Sequence, residues 1–366
     1  ALSSLREWGT TFPNRTSPGW LNSSPGTPQL LKLNEGSHAP VMLRVWAEFI
    51  TPREAADPAV VSLLQRYRAH PCLAVPHGRL GAEYVRFVRV YSEAGLEPAL
   101  WPTLSDESGY WPNERNAAEF FDYVRRIFEW AEEEKLSIPW LVVDLETPLY
   151  QWQEIGAAKG LKKARTALRV FRSNRNRERF AEAAQIYREL QAFVNSRGCR
   201  TLVPVLPFIE LDLQDQATKL QDYLETPVTP IQWDVVTVMQ YNSLFSGMSK
   251  GLLKLEEAPY YLYLLCRNMK EHFGGRAALS VGLTSTGKLG DEPYYRHPEE
   301  MLPDISAGLA AGIDDIAVFC LEGILKHARP ESWFEMIRGA APAVPPRSHR
   351  VERLRKLGRM LYRLAR

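Results

Sequence analysis

The tripeptide Asp144-Leu145-Glu146 follows the apolar run Trp140–Val143. Residues i and i+2 of a strand point to the same side. Both carboxylates are therefore expected to face one opening. Two crowded carboxylates cannot both ionise cheaply, so one should keep its proton to higher pH. A carboxylic acid of raised pKa is what a general acid for glycosidic cleavage needs. The competing use of the pair is structural, with one acid pairing with Arg44 or capping the next helix.

The same logic, applied to the ends of other apolar runs, collects further polar and aromatic candidates. They are Arg44, Trp46 and Glu48; His77; Trp101, Thr103 and Asp106; Glu210 and Asp212; Met239, Gln240, Tyr241 and Asn242; Thr284 and Thr286; and Glu322. Trp46, Trp101, Tyr110, Trp111, Tyr150, Trp152 and Tyr241 offer ring faces on which sugars stack, unless they serve as core residues. Glu48, Trp46, Trp101, Gln240, Asn242 and Glu322 are the candidate substrate-binding residues. Other chemistries lack their signatures. The chain has no HExxH, no tight His/Asp cluster, no Gly-x-Ser-x-Gly elbow and no Walker A loop. No CxxC pair occurs among Cys72, Cys199, Cys266 and Cys320. Neither metal nor cofactor is expected. No strand-end lysine offers itself for a Schiff base, which counts against an aldolase-type enzyme.

The elements that must position these residues alternate regularly. Strand-type runs are Val41–Phe49, Cys72–Pro76, Pro98–Leu104, Pro139–Glu146, Thr201–Ile209, Trp233–Tyr241, Ala278–Thr284 and Asp315–Leu321. Helical patterns lie between them: one starting at Asp57-Pro58, then Gly81–Glu93, Asn116–Lys135, Arg177–Asn195, one near Gln214–Leu224, Pro259–Phe273 and Pro298–Ala311. Glu331–Arg338 closes the series. Strands apolar nearly throughout suit a parallel sheet buried on both faces. Eight strand–helix units predict an α/β fold, a single (β/α)8 TIM barrel, rather than a doubly wound open sheet. Active residues of that fold sit at the C-terminal ends of the strands. Residues 1–38 read as an extended N-terminal segment, 39–342 as the barrel, and 343–366 as a basic amphipathic helix.

Several segments resemble the family 18 glycoside hydrolases, the chitinase-like barrels. Trp140-Leu-Val-Val-Asp-Leu-Glu146 looks like their strand-four DxxDxDxE motif. Val238-Met-Gln-Tyr-Asn242 looks like their strand-six MxYD. Leu279–Leu283 and Gly312–Gly323 resemble their last two strands. The resemblance covers about half the chain. It implies that Glu146 is the general acid, that Asp144 orients an acetamido group acting as the substrate's own nucleophile, and that Tyr241 holds that group. Pro139 and Val142 stand at the motif's earlier acidic positions, Asn242 replaces an Asp, Phe319 replaces a Trp, and Glu322 falls near a family Asp. These departures point to a polysaccharide other than chitin. The Asp-x-Glu pair is also similar to that of the family 25 lysozymes, whose N-terminal strand pattern is not found here. Retaining barrel glycosidases that take a nucleophile from strand seven are a poorer match, because Leu283-Thr-Ser-Thr-Gly287 holds no carboxylate.

Composition narrows the classes. Lys and Arg number 45 against 43 Asp and Glu, giving +2, too balanced for a dedicated nucleic-acid binder. No run of 18 apolar residues is present, so no membrane-spanning helix is expected. Two basic stretches, 159–179 and 347–366, are either solvated helix faces or contacts for an anionic polymer or membrane surface. The chain starts at Ala1, as removal of a signal peptide would leave it, and a secreted or periplasmic location is the expectation. The reading is a glycoside hydrolase that cleaves a polysaccharide or oligosaccharide in endo fashion. Its alternative is a carbohydrate-binding barrel that keeps the cleft without the chemistry.

Overall fold

The computed structural model describes residues 41–248, 253–288, 290 and 292–364. The segment 1–38, expected to be extended, lies outside the described residues. The strands are β1 (Met42–Ala47), β2 (Ala69–Pro76), β3 (Ala99–Thr103), β4 (Trp140–Val142), β5 (Arg200–Val205), β6 (Val235–Met239), β7 (Ala277–Gly282) and β8 (Asp315–Phe319). Each pairs in parallel with its neighbours in sequence order, and β8 pairs with β1, which closes a TIM barrel.

Period-two alternation divides the strand residues into two cores. Leu43, Val45, Leu73, Val75, Leu141, Val143, Val236, Val238, Leu279 and Val281 face the helices and pack in the larger core. Trp46, Cys72, Ala74, Ala99, Trp101, Trp140, Val142, Leu202, Ala317 and Phe319 fill the barrel interior. At the floor, Arg44 holds Asp315 through two hydrogen bonds of 2.9 Å, and its guanidinium lies 4.0 Å from the Trp140 ring centroid. Arg200 lies 3.9 Å from the same ring, and Glu97 accepts from both Trp140 Nε1 and Arg200. Arg44 is therefore committed at the opposite end from the mouth and does not pair with Asp144.

Local chemistry sets the element ends. Asp57 caps the Pro58–Arg66 helix by accepting from Ala59 N at 2.8 Å, and Pro58 occupies its first turn. The stretch expected as one helix near Gln214–Leu224 is two, Ile209–Asp215 and Lys219–Leu224. The break falls at Gln216, with φ +49°, and the buried Asp212 carboxylate accepts from Leu220 N and Gln221 N across it. Gly282 lets the ends of β7 and β8 approach: a Cβ there would stand 2.6 Å from the Phe319 carbonyl oxygen.

The long connection from β4 to β5 folds into three helices, Leu149–Ala157, Gly160–Asn174 and Arg177–Ser196. A buried carboxylate ties it down. Glu225, fully buried, accepts from Arg115, Arg179 and Gln151, and Asn174 bonds Gln151 and Arg115. Breaking a buried charge pair of this kind costs about 3–5 kcal/mol, so the network fixes the loop that follows β4.

Candidate active site

The β4 ladder ends at Val142, earlier than the apolar pattern suggests, and Asp144 and Glu146 lie just past it. The tripeptide is nevertheless held. Leu145 is fully buried in the helix-facing core, and burying a leucine side chain stabilises by about 1.5–3 kcal/mol. Thr147 Oγ1 donates to the Leu224 carbonyl at 2.8 Å, and Leu149 N donates to the Gly109 carbonyl at 3.0 Å. With Leu145 pinned outward, the flanking carboxylates share the mouth.

Three acids act on one another there. Asp144 is buried, whereas Glu146 and Glu48 are partly exposed. Burial raises the Asp144 carboxyl well above its ordinary range, and the charges of Glu146 and Glu48 raise it further. Glu146 is pushed up to about 8, first by burial and then by Glu48. Glu48 is pushed up to about 7 by burial, opposed by a hydrogen bond from Tyr110 and by the charge of Lys288. The cluster thus retains protons at neutral pH, chiefly because burial penalises the charged forms, with repulsion among the carboxylates adding to it.

The walls are aromatic and polar. Trp46 and Trp101 meet edge-to-face with centroids 5.2 Å apart. Trp46 Nε1 donates to Ser280 Oγ at 2.8 Å, and the Tyr241 hydroxyl meets the same oxygen at 3.2 Å. Burial, followed in smaller part by the three carboxylates, holds the Tyr241 phenol protonated to well above its usual pKa. Tyr110 donates to Glu48 Oε1 at 2.8 Å, while Lys288 Nζ lies 3.9 Å from the Tyr110 ring centroid and 3.3 Å from Asp106. Asp144 Oδ1, Trp101 Nε1, Thr103 Oγ1 and Thr237 Oγ1 are buried without a hydrogen-bond partner in the chain. A buried polar atom left so costs about 1–3 kcal/mol, and these atoms suit the hydroxyl and amide groups of a sugar.

Most other candidates lie elsewhere. Gln240 continues the outward row of Val236 and Val238, and its amide donates to Asn242 Oδ1 at 2.8 Å. Asn242 in turn donates to Asp304, which also accepts from Tyr295. Both residues belong to a buried network between the sheet and the Pro298–Ala310 helix, away from the three acids. Glu322 does lie near the mouth: one oxygen accepts from the Phe49 and Ile50 N–H groups, the other is buried without a partner in the chain, and its charge helps raise Glu48. Glu210 and Asp212 bind the last helix, His349–Leu364. His77 packs edge-to-face on Tyr123.

Three site residues were not among the candidates: Ser280, Lys288 and Thr237, which alternates with the outward Val236 and Val238. Ser280 sits inside β7, and period-two counting back from Gly282 marks it as inward-facing. Lys288 lies six residues beyond the end of β7, and no local pattern links it to Tyr110 or Glu48. Among the described residues no group of three or more His, Cys, Asp or Glu is arranged to hold a metal ion.

No protein-family model matches the chain, and no curated protein matches it. Solved structures do. The glycoside hydrolase domain of PgaB (BpsB) from Bordetella bronchiseptica is similar over 81% of this chain and 99% of that one, with 10% identity and TM-score 0.51. The C-terminal domain of a putative chitinase from Desulfitobacterium hafniense matches over 82% and 99%, with 8% identity and TM-score 0.46. An endo-beta-mannanase/endo-beta-glucanase from Prevotella bryantii matches over 83% and 49%, with 9% identity and TM-score 0.48. At these identities the likeness is one of fold, and the fold that this chain shares with glycoside hydrolases is the TIM barrel.

Proposed function

We propose that this protein is a glycoside hydrolase whose general acid is Glu146, with Asp144 and Tyr241 positioning the group that attacks the anomeric carbon. The carrying observation is the cluster of Asp144, Glu146 and Glu48 at the barrel mouth, with Glu146 pushed up to about 8. A group of that pKa is protonated at neutral pH and can deliver its proton to a leaving glycosidic oxygen. Strand β7 and residues 283–288 contain no carboxylate; the first described acid on that connection, Glu292, is held by the Gly287 N–H, which disfavours it as the nucleophile. An acetamido group of the substrate fits instead. The Asp144 carboxyl would orient its N–H, and the protonated Tyr241 would donate to its oxygen.

Endo action on a polysaccharide is part of this reading. Phe49, Tyr150, Phe208 and Tyr294 are exposed on the connections after β1, β4, β5 and β7. They offer stacking faces around the mouth, as a sugar chain extending past both sides of the cleaved bond needs. A secreted or periplasmic site of action belongs to the same reading, since polymeric substrates are met there.

The test is product release from a panel of acetamido, neutral and anionic polysaccharides, followed by mass spectrometry. Glu146→Gln should lose at least about 10²-fold in rate. Near-wild-type turnover in that variant would sink the assignment. Saturable binding without product in the wild type would favour a carbohydrate-binding barrel.

A further inference from the structure

The last helix, His349–Leu364, meets the barrel with its charged side. Arg355 pairs with Glu210. Arg359 and Arg363 pair with Asp215 at 2.6 and 2.8 Å. Tyr362 donates to Asp212 Oδ1 at 2.6 Å, and Lys219 donates to the Tyr362 carbonyl at 2.7 Å. Val351 and Tyr362 are the buried side chains of the helix.

Its other side is apolar and open. Leu357, Met360, Leu361 and Leu364 are 47%, 51%, 55% and 71% exposed. A helix covering a globular core presents the reverse arrangement, apolar side inward. The spacing explains the stripe. Arg353, Leu357 and Leu361 form one i, i+4, i+8 row, and Lys356, Met360 and Leu364 form the adjacent one. Each row begins with an exposed cation.

The same charges discriminate between occupants. Glu352 is the only acid in this helix, and it is held by Arg347 and Tyr260. A second copy of the helix would cover the leucines yet bring no carboxylate to Arg353 and Lys356. A surface of anionic headgroups above acyl chains supplies both needs. The adjoining flank is cationic too. The Gly160–Asn174 helix exposes Lys162, Arg165 and Arg172 and packs on the Lys219–Leu224 helix, whose Lys219 bonds the last helix.

We propose that this outward face docks on an anionic lipid bilayer. The helix lies in the plane of the interface, with Leu357, Met360, Leu361 and Leu364 at the acyl boundary and Arg353 and Lys356 among the headgroups. No helix among the described residues is long and apolar enough to cross a membrane, so the contact is peripheral.

The test is co-sedimentation of the full chain with phosphatidylcholine vesicles, with and without phosphatidylglycerol. Binding is expected only with phosphatidylglycerol, and it should weaken as salt rises. Replacing Arg353 or Lys356 by Gln should lower partition by about fivefold each. The double variant Leu357→Ser, Leu361→Ser should lose binding while keeping its charge and its melting temperature. No sedimentation with phosphatidylglycerol vesicles, or sedimentation unchanged in the serine variant, would overturn the proposal. A dimer in sedimentation equilibrium that the serine variant abolishes would also overturn it, and would assign the face to a second copy.

Discussion

Trp46 on β1 and Ser280 on β7 are joined across the barrel interior by an indole N–H donated to the serine oxygen at 2.8 Å. Because Tyr241 bonds the same oxygen, one hydroxyl links an aromatic wall to a residue proposed to touch substrate. Ser280→Ala leaves the Trp46 N–H buried and unpaired, since Trp46 is only 2% exposed. The expected loss is about 1–3 kcal/mol in urea unfolding, together with a rise in KM as Tyr241 loses its anchor. Ser280→Thr, which keeps the hydroxyl, should recover most of the stability.

Glu48 raises the pKa of Glu146 through like-charge repulsion. Removing that charge in Glu48→Gln favours the ionised form of Glu146. The alkaline limb of the kcat/KM profile, set in the wild type near pH 8 by loss of the Glu146 proton, should therefore move to lower pH. A limb that stays in place would mean that the two carboxyls do not interact.

Stability should also carry the mark of these acids. Glu146 and Glu48 have folded-state pKa values of about 8 and about 7, above the ordinary 4.5. A group raised in this way contributes stability below its unfolded pKa, and the contribution is lost as pH rises through the folded value. The wild type should lose stability between pH 4.5 and pH 8. Glu146→Gln, which has nothing to ionise, should gain on it by at least about 3 °C in melting temperature over that window.

Gly282→Ala tests the close approach of β7 and β8. The added methyl would stand 2.6 Å from a backbone oxygen, which cannot swing aside as a flexible side chain can. A loss of about 1–3 kcal/mol is expected in denaturant titration, as for other overpacked sites. Gly339→Ala, where nothing lies within 4 Å of the new Cβ, serves as the control.

The barrel was legible because parallel strands buried on both faces read as continuous apolar runs, and eight of them recur with helices between. Their ends were less so. Apolar character outlasts the hydrogen-bond ladder, so Pro139–Glu146 and Trp233–Tyr241 shrink to Trp140–Val142 and Val235–Met239. Gln240 shows a signal that was available, since its alternation with Val236 and Val238 already points outward. Asn242 shows one that was not, because its partner Asp304 is 62 residues away.

From the sequence alone, the residue types at each strand end were determined: an Asp and a Glu after β4, a Tyr after β6, a Glu after β1, and no carboxylate in the first six residues after β7. Local periodicity is enough for that, because a strand's two faces and a helix's stripe are set by neighbours within a few residues. The tertiary structure alone decided that Arg44 is taken by Asp315, that Ser280 binds both Trp46 and Tyr241, and that Lys288 sits over Tyr110 beside Glu48. It also decided that the last helix turns its charges inward. These choices rest on distance and burial between residues far apart in the chain, and Coulomb forces and desolvation depend on those two quantities.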